Sequence, residues 1–242
     1  NVLEVYHKGK KIIKDEKVEI RPCDPQLKNT VHLLGFRESD LRLPWREGKV
    51  HILKMMEGQI VTEDVREEVG YTEEKGRKVF KPDGTYQKIA AVERHKNTGK
   101  IGVGIVKGFG LRGGAIASSV SHDSHNLIVI GDNDHDMYLA VQELLRTQGG
   151  YTLVENGQVF DTLPLPIMGL MSDAGYEKVN EKLARMISKA HEMGIPEGFD
   201  PFITLSFMAL PVIPEIRITP RGVYLTQEDR MIQRPLNQRF TR

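Results

Sequence analysis

Residues 88–136 read KIAAVERHKNTGKIGVGIVKGFGLRGGAIASSVSHDSHNLIVIGDNDHD, and the way this stretch divides decides the fold. Lys88–His95 reads as a strand, Asn97-Thr98-Gly99 as a turn, and Ile101–Val106 as the next strand. Gly113–Val120 is small and β-tolerant, and Leu127–Ile130 is a short apolar run of the kind found in a strand buried on both faces. Asp132 or Asp134 then caps a helix over 135–147, with Met137, Leu139, Ala140, Val141, Leu144 and Leu145 on its apolar face.

Downstream, Gly149-Gly150 ends that helix, and Asn156-Gly157 between Tyr151–Val154 and Gln158–Thr162 signals a type I′ hairpin. Asp173 is expected to cap a helix over 174–193, whose stripe is Val179, Leu183, Met186, Ile187 and Ala190 and whose stop is Gly194. Asp200-Pro201 opens a helix reaching Leu210, and 215–219 with 222–225 form a last hairpin around Pro220-Arg221. Upstream, residues 2–20 read as two short strands around Lys8-Gly9-Lys10, and Arg21–Pro25 is a breaker. Residues 26–60 are mixed, and 63–88 are so charged, with a turn at Pro82-Asp83-Gly84, that a solvated hairpin or loop is expected. The whole reads as an α+β chain. A small β element precedes a mixed or antiparallel sheet with about three helices, and the segments fall at 1–24, 25–87 (a charged connecting region) and 88–242.

Bulk properties remove several function classes. Lys plus Arg is 34 and Asp plus Glu is 33, so no net charge draws the chain to nucleic acid or an anionic membrane. No apolar run approaches the roughly 20 residues a membrane helix needs. Cys23 is the single cysteine, so neither an intrachain disulfide nor a cysteine zinc cluster is available, and a cytoplasmic protein without a signal peptide is the expectation. The chain begins with Asn1 rather than Met, inside a strand-like stretch, as a fragment or processed product would.

Gly108-Phe109-Gly110-Leu111-Arg112-Gly113 fits G-x-G-x-x-G, but a dinucleotide site needs a helix to start there, and Gly114–Val120 reads as strand. The glycines then serve a tight connection or a close backbone approach. Asp132, Asp134, Asp136 and Glu143 match EF-hand positions, yet Met137 stands where the loop needs glycine, so capping is the expected role of these acids. Ser121, His122, Asp123, Ser124, His125 and Asn126 hold too many hydrogen-bonding groups for a casual turn. They could satisfy strand ends, face a ligand or neighbouring domain, or contribute to a metal site. Glu93, Arg94 and His95 end a strand, and if that strand lies beside the one that follows His122 the two ends form one polar cluster.

Extended to Val141, the opening stretch resembles the C-terminal region of bacterial and archaeal adenine deaminases, as do LPLPIMGLMSD (163–173) and DPFITLSFMALPVIPEIRIT (200–219). The likeness is close over 88–226 and looser back to residue 1, where VYHKGKKIIKDEKVEI resembles the end of the small β-domain flanking an amidohydrolase barrel. The resemblance implies conversion of adenine and water to hypoxanthine and ammonia at a manganese or iron site in a (β/α)8 barrel. Those ligands, beginning with an H-x-H, have no counterpart in these 242 residues, so no metal is expected in this chain and no activity from it alone. The implied partners are adenine, the barrel portion of the enzyme and further copies in a homo-oligomer. The candidates for closing the purine pocket are Ser121, His122, Asp123, His125 and Asn126, with Glu93, Arg94, His95 and Lys107–Gly110 beside them. The competing roles are a structural or oligomerisation domain and a free-standing purine-binding domain.

Overall fold

The computed structural model describes residues 3–12 and 22–233. In chain order the elements are β1 (Val5–His7), β2 (Lys10–Ile12), β3 (Val50–Met55), β4 (Thr62–Glu67), β5 (Tyr71–Glu74), β6 (Arg77–Phe80), β7 (Tyr86–Val92), β8 (Ile101–Lys107), β9 (Gly114–Ser118) and β10 (Leu127–Gly131). Then follow α1 (Asp134–Thr147), β11 (Gly150–Glu155), β12 (Gln158–Pro164), α2 (Tyr176–Glu192), α3 (Pro201–Phe207), β13 (Ile216–Thr219), β14 (Gly222–Leu225) and β15 (Arg230–Gln233). Eight strands form one sheet in the order β12-β11-β9-β10-β7-β8-β3-β4. It is antiparallel except where β3 runs parallel to β8, so the α+β class and mixed sheet hold.

Leu127–Ile130 is fully buried because both faces of the sheet are covered. Leu127 and Val129 face Met137, Ala140, Val141 and Leu144 of α1, joined by Val31, Phe36 and Leu41. Ile128 and Ile130 face the opposite core, built from Met186 and Ala190 of α2, Phe202 and Leu205 of α3, and Ile216, Ile218 and Val223 of the β13–β14 hairpin. Two-sided burial suppresses the polar alternation of a half-exposed strand.

Several boundaries differ from the sequence expectations. Residues 50–67 supply β3 and β4 to the main sheet, so the segment read as a connecting region is in part sheet. The charges of β4 sit on an edge strand, where Arg66 is exposed and Glu63, Asp64 and Glu67 are half-buried. The β5–β6 hairpin beyond it is largely exposed, as its composition suggests. Asn133, not Asp132 or Asp134, caps α1, its side chain accepting from the Asp136 amide at 2.8 Å. Asp132 instead accepts from the amides of Gly113 and Gly114. Helix α2 starts after Gly175 with no side-chain cap, so Asp173 lies outside it and pairs with Lys28. Asp200 caps α3 as expected, and Asn156 and Gly157 both take positive φ in the β11–β12 turn. A third strand, β15, joins the C-terminal hairpin. Of the N-terminal two-strand element, Lys8 and Gly9 make the turn, and its continuation over 13–21 lies outside the described residues.

Gly110 explains the G-x-G-x-x-G run. It has φ +82°, and a Cβ there would stand 2.6 Å from the Gly194 carbonyl oxygen, so the loop packs backbone to backbone and enters β9 rather than a helix.

Candidate functional site

Antiparallel pairing of β7 with β10 sets Val92 opposite Leu127. The loop that leaves β7 (93–100) and the loop that enters β10 (119–126) therefore emerge from the same end of the sheet. This register brings Glu93, Arg94 and His95 together with Ser121, His122, Asp123, His125 and Asn126.

Arg94 organises the cluster from inside. It is 1% exposed, and no carboxylate among the described residues neutralises it. Nε donates to the His125 carbonyl at 2.5 Å, Nη1 to the Thr30 carbonyl at 3.0 Å and Thr30 Oγ1 at 3.2 Å, and Nη2 to the Met168 carbonyl at 2.9 Å. Burial pushes the guanidinium down to about 10, which leaves it charged at neutral pH. Arg94 thus clamps three chain segments from the interior. Gly169 fits against it: with φ +73°, a Cβ there would meet both terminal nitrogens at 3.0 Å.

Glu93 is also occupied. Its carboxylate accepts from the amides of His95, Lys96 and Thr98 and from the Thr98 hydroxyl, holding the turn after β7. Burial pushes the carboxyl up, but these four donors outweigh it and hold it below the usual range. His95 Nε2 donates to the Ser124 carbonyl at 2.7 Å. Asn126 takes the Arg94 amide on Oδ1 and donates through Nδ2 to Ser124 Oγ. These bonds shape the loop; what the loop presents is the histidine pair.

The His122 and His125 rings meet edge to face at 5.6 Å between centroids, and His122 stacks on Phe207 of α3 at 4.8 Å. The His122 amide donates to the Ser206 carbonyl, which seats the loop on α3. Asp123 is exposed, with Oδ1 3.9 Å from His122 Nδ1. His125 has φ +50°, its amide donates to the Ser121 carbonyl at 2.6 Å, and burial, then His122 and Arg94, pushes its imidazole down. Ser121 Oγ and His125 Nδ1 are both buried without a hydrogen-bond partner among the described residues.

Lys107 does not belong with this group. It closes β8 opposite Tyr86, at the far end of the sheet from Val92 and Ile101, and its ammonium binds both oxygens of Glu67 at 2.7 and 2.8 Å. Gly108–Gly110 follow it there. The sequence reading missed Thr30, Met168, Ser206 and Phe207, which hold the loop through backbone carbonyls, the Thr30 hydroxyl and a ring stack, none of which leaves a spacing signal.

Two of the segments that hold the loop, 167–171 and α3, also carry exposed apolar side chains. Met168, whose amide donates to the Leu27 carbonyl, is 43% exposed, Met171 52%, and Ile203 on α3 52%. Beside it opens a groove of about 510 Å³ lined by Glu93, Lys96, Lys100, Asn126, Arg221 and Tyr224, among others. Among the described residues no group of three or more His, Cys, Asp or Glu side chains is placed to hold a metal ion, and no helix is long and apolar enough to cross a membrane.

The family model of the adenine deaminase C-terminal domain matches residues 59–230. An adenine deaminase of Desulfitobacterium hafniense is 51% identical over 229 residues, which cover 95% of this chain and 40% of that protein. Those of Nitratidesulfovibrio vulgaris (strain DP4) and Clostridium acetobutylicum are each 42% identical, over 92% and 91% of this chain and 39% and 38% of their own lengths. The chain spans about 40% of the length of such relatives. The matched span runs from just before β4 to the start of β15 and takes in more than half of the chain, so the chain belongs to the adenine deaminase C-terminal domain family.

Proposed function

We propose that this chain is the C-terminal portion of an adenine deaminase, and that the Ser121–Asn126 loop completes the purine pocket of a catalytic part built elsewhere. The observation that carries this reading is the contrast within the loop. Arg94, Glu93, His95 and Asn126 are spent on holding it, while His122 and His125 are left at the end of the sheet, and the segments that hold the loop expose Met168, Met171 and Ile203. Exposed apolar side chains around a rigid polar loop suit a face covered by another body. Covering that face would exclude water from a bound ring and leave the imidazoles as its hydrogen-bonding groups.

In this reading the intact protein converts adenine and water to hypoxanthine and ammonia. His122, Asp123 and His125 do not form a cradle for manganese or iron, so the divalent metal is assigned to the barrel portion of the enzyme, where it would activate water as a Lewis acid. The partners are that barrel, adenine and further copies of the enzyme in the cytoplasm.

The test uses the intact enzyme. His122→Ala and His125→Ala are expected to lower kcat/KM for adenine, and unchanged turnover and affinity in both would sink the reading. A second reading, purine binding by the free chain, rests on the groove beside Asn126, whose volume suits a small planar ligand. Calorimetry with adenine and the 242-residue chain separates the two, because the first reading expects no heat and no deamination from the chain alone.

A further inference from the structure

The groove beside Asn126 is built from two walls that lie far apart in sequence. One is the turn between β7 and β8, which carries Lys96 and Lys100; the other is the β13–β14 hairpin, which carries Arg221 at its turn. All three side chains are exposed, and none makes an ion pair or a side-chain hydrogen bond among the described residues. The acceptors of the groove are already engaged. Glu93 takes three amides and the Thr98 hydroxyl, which fills the roughly four lone-pair sites of a carboxylate. Asp229 accepts from the Tyr224 hydroxyl at 2.6 Å, Asn126 bonds through both ends of its amide, and Thr219 donates to the Gly222 carbonyl. The lining holds three cations against two carboxylates, and its uncommitted hydrogen-bonding capacity lies in the donors of the three cations. Such a lining recognises an anion rich in acceptors.

The spacing of the walls is fixed. At Gly102, two residues after Lys100, a Cβ would overlap the Thr219 carbonyl oxygen and stand 2.7 Å from the Gly222 amide nitrogen. Strand β8 therefore meets the turn that carries Arg221 backbone to backbone, and the groove is formed before any ligand arrives. Between the walls, Pro220, Met231 and Tyr224 add apolar surface, and the phenol is pinned by its bond to Asp229. The volume of about 510 Å³ lies within the range of small-molecule sites.

We propose that this groove binds a phosphate monoester carrying a flat aromatic body, the chemistry of a nucleoside monophosphate. The phosphate presents three acceptor oxygens and nearly two negative charges, which suits a guanidinium on one wall and two ammoniums on the other. A carboxylate, with two oxygens in one plane, engages the Arg221 fork and leaves the opposite wall without an acceptor. The flat body packs on Tyr224, Pro220 and Met231. The inference does not depend on the role of the Ser121–Asn126 loop. It places the affinity of the groove in the phosphate, so uncharged adenine binds there far more weakly.

The test is calorimetry of the 242-residue chain with adenosine 5′-monophosphate, ribose 5-phosphate, inorganic phosphate and adenosine. The nucleotide is expected to bind at least about tenfold more tightly than each of the other three, and more weakly as salt is raised. Arg221→Ala should weaken it about tenfold, the worth of one charge-assisted hydrogen bond, and Lys96→Ala and Lys100→Ala about threefold each, as exposed point charges. Arg221→Glu should abolish binding. None of the four should lower Tm, because these side chains bond to nothing among the described residues, so lost binding cannot be lost folding. No saturable heat with millimolar nucleotide, or a nucleotide affinity untouched by Arg221→Glu, overturns the proposal. Ribose 5-phosphate or inorganic phosphate binding as tightly as the nucleotide overturns it too, since no flat body is then read, and adenosine binding as tightly removes the phosphate from it.

Discussion

Replacing Arg94 with alanine removes the clamp on which the loop depends, and the structure sets the size of the effect. Four bonds are lost, and the carbonyls of Thr30, His125 and Met168 are stranded at a fully buried site. A stranded buried acceptor costs about 1–3 kcal/mol, so three cost about 3–9 kcal/mol. Against this stands the desolvation of a buried cation, several kcal/mol that the variant no longer bears, and water entering the vacated space. The net expectation is a loss of about 3–5 kcal/mol, the usual result of truncating one member of a buried charged network. For a chain of this size that is a fall in Tm of roughly 6–20 °C, at about 2–4 °C per kcal/mol. Arg94→Lys keeps the charge but lacks the planar fork that spans three carbonyls, and should recover less than half of the loss. Gly169→Ala supplies a cross-check. It strains a positive-φ position and presses a methyl on the guanidinium at 3.0 Å. With Arg94 already alanine, the clash is gone and only the backbone strain remains, so the double variant should be less destabilised than the sum by about 1 kcal/mol. Urea unfolding of the 242-residue chain at neutral pH measures all four. An Arg94→Ala loss below about 1 kcal/mol, or strict additivity with Gly169→Ala, would refute the clamp.

Other consequences are simpler to test. Asn133→Ala should cost about 0.5–2 kcal/mol through loss of the α1 cap, whereas Asp134→Asn, which leaves that cap in place, should act through its buried pairing with Lys88; unfolding curves distinguish the two. The Glu93 carboxyl is held below its ordinary value, so its contribution is fully present above pH 4.5 and is lost as pH falls through the folded-state value; Glu93→Gln should flatten that part of the stability–pH curve. The hydrogen bond that Tyr86 donates to Glu67, and after it burial, pushes the phenol up to about 12, so the absorbance titration lost in Tyr86→Phe should lie well above 10 and move back toward 10 in Glu67→Gln. In the intact enzyme of the proposed function, Lys107→Ala, at the far end of the sheet, should leave adenine turnover within about twofold of the parent, and a larger loss would return Lys107 to the site.

The legible parts of the fold were those with local causes. Asn156-Gly157 had to form a tight turn because both residues tolerate positive φ, and Asp200-Pro201 had to start a helix because the acid caps it and proline fits its first turn. Leu127–Ile130 read as a buried strand because no polar residue interrupts it. The parts that escaped had distant causes. Asp132 resembles a helix cap in sequence, but the amides of Gly113 and Gly114, brought by the β9–β10 pairing, compete for it, and Asn133 takes the cap. The charges of 62–67 mark an edge strand only once β3 lies beside it. At the site, the meeting of 93–95 with 121–126 followed from a strand pairing that the sequence made conditional. The buried clamp made by Arg94 escaped because its acceptors include carbonyls at positions 30, 125 and 168, and carbonyls have no sequence signature.

Two features of the surface bear on the same conclusion from different directions. The β1–β2 hairpin pairs only with itself among the described strands, and Leu3, Val5, Tyr6 and Ile12 are 91%, 49%, 60% and 47% exposed. A lone two-stranded ribbon with apolar side chains in water is marginal, so its sequence makes sense only if those side chains are covered. At the loop, the energetic logic is reversed. Arg94 is buried at high cost to make 119–126 rigid, although a surface loop with nothing to meet gains little from rigidity. A fixed loop lowers the ordering entropy of whatever docks against it, and that gain is realised only on contact. The hairpin lacks a cover and the loop is prepared for one. Both follow if these residues are, as proposed, the portion of a longer enzyme that packs against its catalytic part.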